Sequence, residues 1–204
     1  MHIPKSNTLS IPVLSFEEAL LGSEVKDYDN EKWIYAPDFY SEYRYILGTR
    51  GKNPLVCIGI NPSTAKPDKL DPTLASVQRI AHSNGFDSFI MFNVYAQRAT
   101  DPNHMEALFN PILHRENMKA FEYVLRSSVS PCIWAAWGTI IEKRPYLTEC
   151  LKDMIDLGKK FGALWYSVGK RSVKCGHPHH PLYLKKNSEL DFFDVEEYWK
   201  GLGL

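Results

Sequence analysis

Four short apolar runs separated by helix-like stretches constrain this chain more than any other feature. Pro54-Leu-Val-Cys-Ile-Gly-Ile60 has the length and β-branched content of a buried strand, and it breaks at Asn61-Pro62, where proline has no backbone N–H to pair. Ser88 to Val94 is a second such run, followed by a polar loop from Gln97 to Asn103. Pro131 to Trp137 is a third, stopped at Gly138, and Ala163 to Val168 is a fourth. Between the first two, Leu74 to Asn84 places Leu74, Val77, Ile80 and Ala81 on one helical face, and Asn84-Gly85 supplies a left-handed cap. Asn117 to Ser127 and Tyr146 to Lys160 read as two more helices, Asp191 to Lys200 as a short amphipathic one, and Glu42 to Thr49 as a short strand. Strands alternating with helices predict a mainly parallel sheet of about four strands covered on both faces, a single-domain α/β three-layer sandwich.

A length of 204 residues suits one well-buried core. Residues 1–40 mix proline, serine, acids and scattered aromatics, and read as an N-terminal extension packed on a domain spanning 41–204. No apolar run approaches the roughly 20 residues that span a bilayer, so no membrane partner is expected. The first residues, with Pro4, Pro12 and Glu17-Glu18, lack the apolar centre of a signal peptide, which predicts a cytoplasmic protein, taken as a monomer. Cys57, Cys132, Cys150 and Cys175 are far apart, whereas iron–sulfur ligands usually include a close pair. No Cys/His spacing supports a metal site either. Neither a metal nor another cofactor is expected.

The 24 acids and 24 bases balance overall but not locally. Lys143 to Lys186 holds ten bases against three acids, among them Lys170, Arg171 and Lys174, while residues 1–43 hold eight acids against three bases. A basic half of this kind offers a phosphate-facing surface to a nucleic acid, and solvated helix faces produce similar imbalances.

In a parallel sheet, ligands bind beyond the C-terminal strand ends. Three such ends carry side chains suited to chemistry: Asn61 after the first run, Asn93 in the second, and Cys-Gly-His-Pro-His-His-Pro-Leu-Tyr, residues 175–183, after the fourth.

These segments resemble a known superfamily. Gly59-Ile60-Asn61-Pro62 resembles the first motif of the mismatch-specific branch of the uracil-DNA glycosylases. Phe89-Ile-Met-Phe-Asn93-Val resembles the strand whose asparagine reads the extruded base. Cys132-Ile-Trp-Ala-Ala-Trp137-Gly138 resembles the apolar strand ending in Trp-Gly, and His177-Pro-His-His180-Pro181-Leu182 the closing histidine loop. More closely, Asn-Pro-Ser-Thr-Ala (61–65), Asp71-Pro-Thr73, Arg98-Ala-Thr-Asp-Pro102, Trp137-Gly138 and His180-Pro-Leu-Tyr183 resemble the family catalogued as domain of unknown function 1643. The first resemblance implies a uracil-DNA glycosylase-like fold and base excision without a cofactor. The partner it implies is DNA carrying a modified or damaged base.

N-glycosidic cleavage passes through an oxocarbenium-like sugar, so an enzyme must place a water and stabilise the departing base. Asn61 suits the first task through its amide oxygen, and His180 the second by donating to the base oxygen where charge accumulates. Asn93 offers a donor and an acceptor to the edge of a flipped base, and Leu182 a wedge for the gap that the base leaves. Gly59, Ile60, Pro62 and Ser63 complete the expected base pocket. Thr64, Asp71, Thr73, Arg98, His177, Leu182, Tyr183, Lys170, Arg171 and Lys174 are candidates for its mouth or for DNA contacts. Each residue also has a structural role open to it: Asn-Pro is a common turn, and Trp134 and Trp137 suit a core.

Two departures qualify the resemblance. Ser63 stands where uracil-specific enzymes carry an aromatic ring, which implies room for a substituent on carbon 5. The final loop is one residue longer than the superfamily pattern, so His177 and His180 both qualify as the matching histidine; His-Pro-Leu-Tyr fits the nearer family and favours His180. The expected activity is therefore a DNA glycosylase acting on a modified or damaged pyrimidine, with a 5-modified base in phage DNA as one setting. A binding module for nucleotides or flipped bases and a nucleoside or nucleotide N-glycosidase stand as alternatives.

Overall fold

The computed structural model describes residues 1–169 and 176–202. Among these residues seven strands form one sheet: β1 (Trp33–Ala36), β2 (Ile46–Thr49), β3 (Pro54–Gly59), β4 (Ser88–Asn93), β5 (Cys132–Ala135), β6 (Leu164–Val168) and β7 (Leu190–Phe192), in the order β1-β2-β4-β3-β5-β6-β7. The pairs β3/β4, β3/β5 and β5/β6 are parallel, whereas β1/β2, β2/β4 and β6/β7 are antiparallel.

The expectation of about four mainly parallel strands is therefore corrected to a seven-stranded mixed sheet. The strands that periodicity misses are short and lie outside the central βαβ units, where no helical stretch announces them. β1 lies in the segment read as an extension, and β7 overlaps the start of the segment read as one helix. That last helix begins only at Val195.

Five helices cover the sheet: α1 (Phe16–Leu21), α2 (Pro72–Ser83), α3 (Pro111–Arg126), α4 (Pro145–Lys160) and α5 (Val195–Gly201). Strand side chains divide by alternation. Val56, Ile58, Ile90 and Phe92 pack with Phe16, Phe121, Leu151 and Tyr198 from α1, α3, α4 and α5. Leu55, Cys57, Phe89 and Met91 face the other way, onto Leu74, Val77 and Ile80 of α2. Burial on both faces explains why β3 and β4 read as continuous apolar runs rather than alternating ones. α3 begins at Pro111 rather than Asn117, because Asn110 caps it: its Oδ1 accepts from the Ile112 and Leu113 N–H groups at 3.0 and 3.2 Å.

Residues ahead of β1 are fastened to this frame. The Thr8 N–H and hydroxyl both donate to the buried Glu106 carboxylate, and the Phe16 N–H donates to Glu116 at 3.0 Å.

Topology singles out one end of the sheet. The chain leaves β3 through α2, on one face, to reach β4; it then returns through α3, on the other face, to β5 on the far side of β3. The crossovers part beyond the C-terminal end of β3, the position where open α/β sheets gather ligands.

Candidate functional site

A cleft of ≈ 350 Å³ opens at that point. Its walls include Gly59, Ile60, Asn61, Ser63, Thr64, Asp71, Thr73, Asn93, His180 and Leu182, so most of the residues singled out in the sequence meet in one place.

The first wall follows β3. Backbone bonds from Val94 to Gly59 O and from Tyr95 to Ile60 O, both 2.9 Å, carry the pairing with the β4 strand past its formal end. Proline then ends it, and the Ala99 N–H closes on Pro62 O at 2.9 Å. The Asn61 side chain is held at this bend: Nδ2 donates to Ala99 O at 2.7 Å and to Pro62 O at 3.1 Å. With both amide hydrogens directed at carbonyls, the Asn61 Oδ1 is the end left to meet a ligand. Pro62 itself is buried in the bend and does not line the cleft.

Asn93 lies on the neighbouring strand, 1 % exposed, paired in register with Gly59. Turning its amide so that the nitrogen meets the backbone oxygens of Asn61 and Phe92, 3.3 Å from each, satisfies both ends of the side chain. Gly59 lies beneath it, where a Cβ would come within 2.6 Å of Met91 Cε, so a side chain there would displace the end of that methionine.

The N-terminus of α2 forms another side. Asp71 is its N-cap, with Oδ1 accepting the Leu74 N–H at 2.9 Å, and Pro72 and Thr73 follow along the wall. At the rim, the hydroxyls of Ser63 and Thr100 lie 2.9 Å apart. The N-terminus reaches the same rim, where the His2 N–H donates to Thr100 Oγ1 at 2.7 Å and the Thr100 N–H to His2 O at 3.0 Å.

His180 joins this lining from the loop after β6. It caps the single turn Pro181–Tyr183, with Nδ1 accepting the Leu182 N–H at 3.3 Å. An accepting Nδ1 leaves the ring proton on Nε2. Burial lowers its pKa below the ordinary 6.5, against a smaller upward pull from Asp71, so the ring is a neutral Nε2–H donor. The loop comes close to the end of β5 at Gly138, whose φ of +58° suits glycine and whose missing side chain would sit 3.7 Å from His180 Cβ.

His177 does a different job. It is buried outside the cleft, with Nδ1 2.8 Å from Tyr198 Oη and Nε2 2.9 Å from Glu142 Oε1. Trp137 Nε1 donates to the same tyrosine oxygen at 2.9 Å. This fastens the His180 loop to α5 and to the turn after β5.

Arg98 also stands behind the site rather than in it. Its Nη1 donates to Ser63 O and to Ala65 O, its Nη2 to Tyr35 Oη at 3.0 Å, and its guanidinium lies 4.4 Å over the Tyr40 ring. It shapes the 61–65 loop from within. Tyr183 ends the turn that His180 caps. Lys170, Arg171 and Lys174 lie outside the described residues.

The sequence reading missed Arg44, Met91, Ala99, Thr100, Pro102 and Ile140, all of which line the cleft. Met91 lay inside the quoted strand motif and Ala99, Thr100 and Pro102 inside the Arg98–Pro102 motif, while Arg44 stood out as a charged residue inside the apolar stretch Tyr43-Arg-Tyr-Ile-Leu. A larger surface groove of ≈ 510 Å³, bounded by Tyr28, Phe39 and Lys66, contains none of the expected site residues. Among the described residues no three His, Cys, Asp or Glu side chains group as a metal site, and no helix is long and apolar enough to cross a membrane.

A family model described as Protein of unknown function (DUF1643) matches residues 44–182, which span β2 to the His180 loop. No curated protein and no solved structure matches the chain.

Proposed function

The chain belongs to the DUF1643 family, and from that premise we propose that it is a uracil-DNA glycosylase-like enzyme that hydrolyses the N-glycosidic bond of a flipped, modified or damaged pyrimidine in DNA. The observation that supports the reading most is that two polar side chains, each held by its own hydrogen bonds, line one cleft. Asn61 presents an amide oxygen whose orientation is set by Ala99 and Pro62, and His180 presents a neutral Nε2–H.

Such a pair suits the two halves of the reaction. Asn61 Oδ1 accepts a hydrogen from a water and aims its lone pair at the anomeric carbon. Ordering of that kind supplies part of the entropic barrier. As the carbon–nitrogen bond breaks, its electron pair leaves with the base and spreads to the ring oxygens. His180 Nε2–H donates to one of them without giving up its proton. The water bonds to the sugar and loses its proton to solvent, and the base takes up a proton after release. Asn93, on the floor, offers the base edge an amide, and its burial makes an unmatched partner costly.

The ordered motifs at 59–62, 89–94, 132–138 and 177–182 support the same reading. Ser63 at the rim supports a substrate substituted at carbon 5, and with it a role against modified foreign DNA such as phage genomes. The decisive experiment incubates the protein with single- and double-stranded DNA containing uracil, 5-modified cytosines or 5-modified uracils, and with modified phage genomes. Alkali-labile sites and free bases identified by mass spectrometry are expected; intact DNA and no released base from every substrate would overturn the proposal.

A further inference from the structure

Arg44 is a charged residue of the cleft that the reaction above does not use. Its side chain is fully buried at 0 % exposure, yet it lines the cleft beside Gly59 and Asn93. Nη1 donates to Ala65 O at 3.2 Å, while Nε and Nη2 are enclosed without a hydrogen-bond partner. Those two nitrogens form one edge of the guanidinium, the edge that delivers two parallel hydrogen bonds to a pair of oxygens.

The surroundings leave this charge uncompensated. Among the described residues no carboxylate forms an ion pair with Arg44, and a second buried guanidinium, Arg98, donates to the same Ala65 O at 3.3 Å. Asp71 is the acid of the cleft wall, and its Oδ1 already accepts the Leu74 N–H. The positive end of α2 opens on the same space. Burial, and then repulsion by Arg98, push the Arg44 pKa down to about 9, a sign of how poorly its charge is met within the protein. A buried, unpaired cation destabilises the fold, and a ligand that supplies the missing oxygens recovers much of that loss.

We infer that Arg44 grips a two-oxygen anionic group, a carboxylate or a phosphate, carried by the molecule that enters the cleft. The inference rests on the reading of the cleft as a pyrimidine site and adds that the pyrimidine arrives with a negative group attached. That group sits either on the ring, as a carboxylate at carbon 5, or on the sugar, as a phosphate ester.

Calorimetric titration of the full chain distinguishes these sources. The probes are deoxyuridine, deoxyuridine monophosphate, 5-carboxydeoxyuridine, 5-hydroxymethyldeoxyuridine and deoxyadenosine monophosphate. One or both of the anionic pyrimidines should bind roughly tenfold to a hundredfold more tightly than the neutral pyrimidines, the range of a charge-assisted hydrogen bond. The probe that gains identifies the source. Arg44→Lys, checked for folding by circular dichroism, keeps the charge but not the paired donors and should lose most of that preference. Equal binding of neutral and anionic pyrimidines to the native chain, no binding of any anionic probe, or a preference unchanged in folded Arg44→Lys would each overturn the inference. The wild-type comparison decides even where the variant does not fold. If deoxyadenosine monophosphate binds as tightly as deoxyuridine monophosphate, the pyrimidine reading fails while the anion seat stands.

Discussion

The side-chain nitrogen of Asn61 donates to the carbonyl oxygen of Ala99 at 2.7 Å, and this bond decides which end of the amide faces the cleft. Asn61→Ala should lower base release by orders of magnitude, because a positioned water is lost and no core volume is removed. Asn61→Asp should behave differently. Its second carboxylate oxygen would face Ala99 O and Pro62 O, so the variant should also lose about 1–3 kcal/mol of stability. Denaturant melts beside single-turnover assays separate the two effects; near wild-type turnover in Asn61→Ala would remove the water-placing role.

His180 should impose a pH dependence of known sign. Burial holds its folded pKa below 6.5, so in the interval between the folded and unfolded values the unfolded chain binds more protons. Its contribution to stability is present above pH 6.5 and is lost as pH falls through the folded pKa. Activity should follow, because protonation replaces the Nδ1 acceptor that holds the Leu182 N–H. Turnover should therefore persist to below pH 6.5 before falling, and nitrogen NMR of the ring should find the hydrogen on Nε2. A hydrogen on Nδ1 at neutral pH would contradict the assignment. His180→Ala should slow release more than it weakens binding.

His177→Ala should damage the fold more than the chemistry. It removes the bonds to Tyr198 and Glu142 from a buried position, at a cost of about 1–3 kcal/mol. Thermal melting should fall clearly while turnover, measured well below that transition, changes less than in His180→Ala. The opposite ranking would make His177 the working histidine.

Ser63→Tyr tests the open rim. The new ring would stand where the Ser63 hydroxyl now meets Thr100, beside the space assigned to carbon 5. Release of a bulky 5-modified base should be lost while any activity on uracil survives. Robust cleavage of uracil alone by the native protein would refute the preference.

Lys170, Arg171 and Lys174 give a prediction from sequence alone. DNA affinity should fall with salt, and neutralising all three should flatten the log–log slope by about 0.7–0.9 per lost phosphate contact. A slope unchanged by the triple substitution would place the phosphate contacts elsewhere.

What was legible in the sequence followed from local causes. β3 and β4 were readable because both their faces are buried, Asn61 and Asn93 because each stands at or just beyond a strand end, and His180 because it lies in a histidine-rich loop after the fourth apolar run. β1 was not, since its four residues sit in a mixed stretch of acids, prolines and scattered aromatics, and neither was β7, whose three residues border an amphipathic helix. Arg98 was misplaced for a related reason: its motif position says that it is near the cleft, but only the packing of Tyr35 and Tyr40 turns it behind the loop. Arg44 stood out by its charge among core residues, but the residues that it meets at the site are distant in sequence, so its place in the cleft was not readable.

The paired bonds between His2 and Thr100 bear on how the protein should be prepared. An affinity tag fused ahead of Met1 would hang over the entrance, and purified material carrying one would report obstruction as if it were poor chemistry. Cleaving such a tag, or moving it to the carboxyl end, belongs among the controls before any substrate is declared inert.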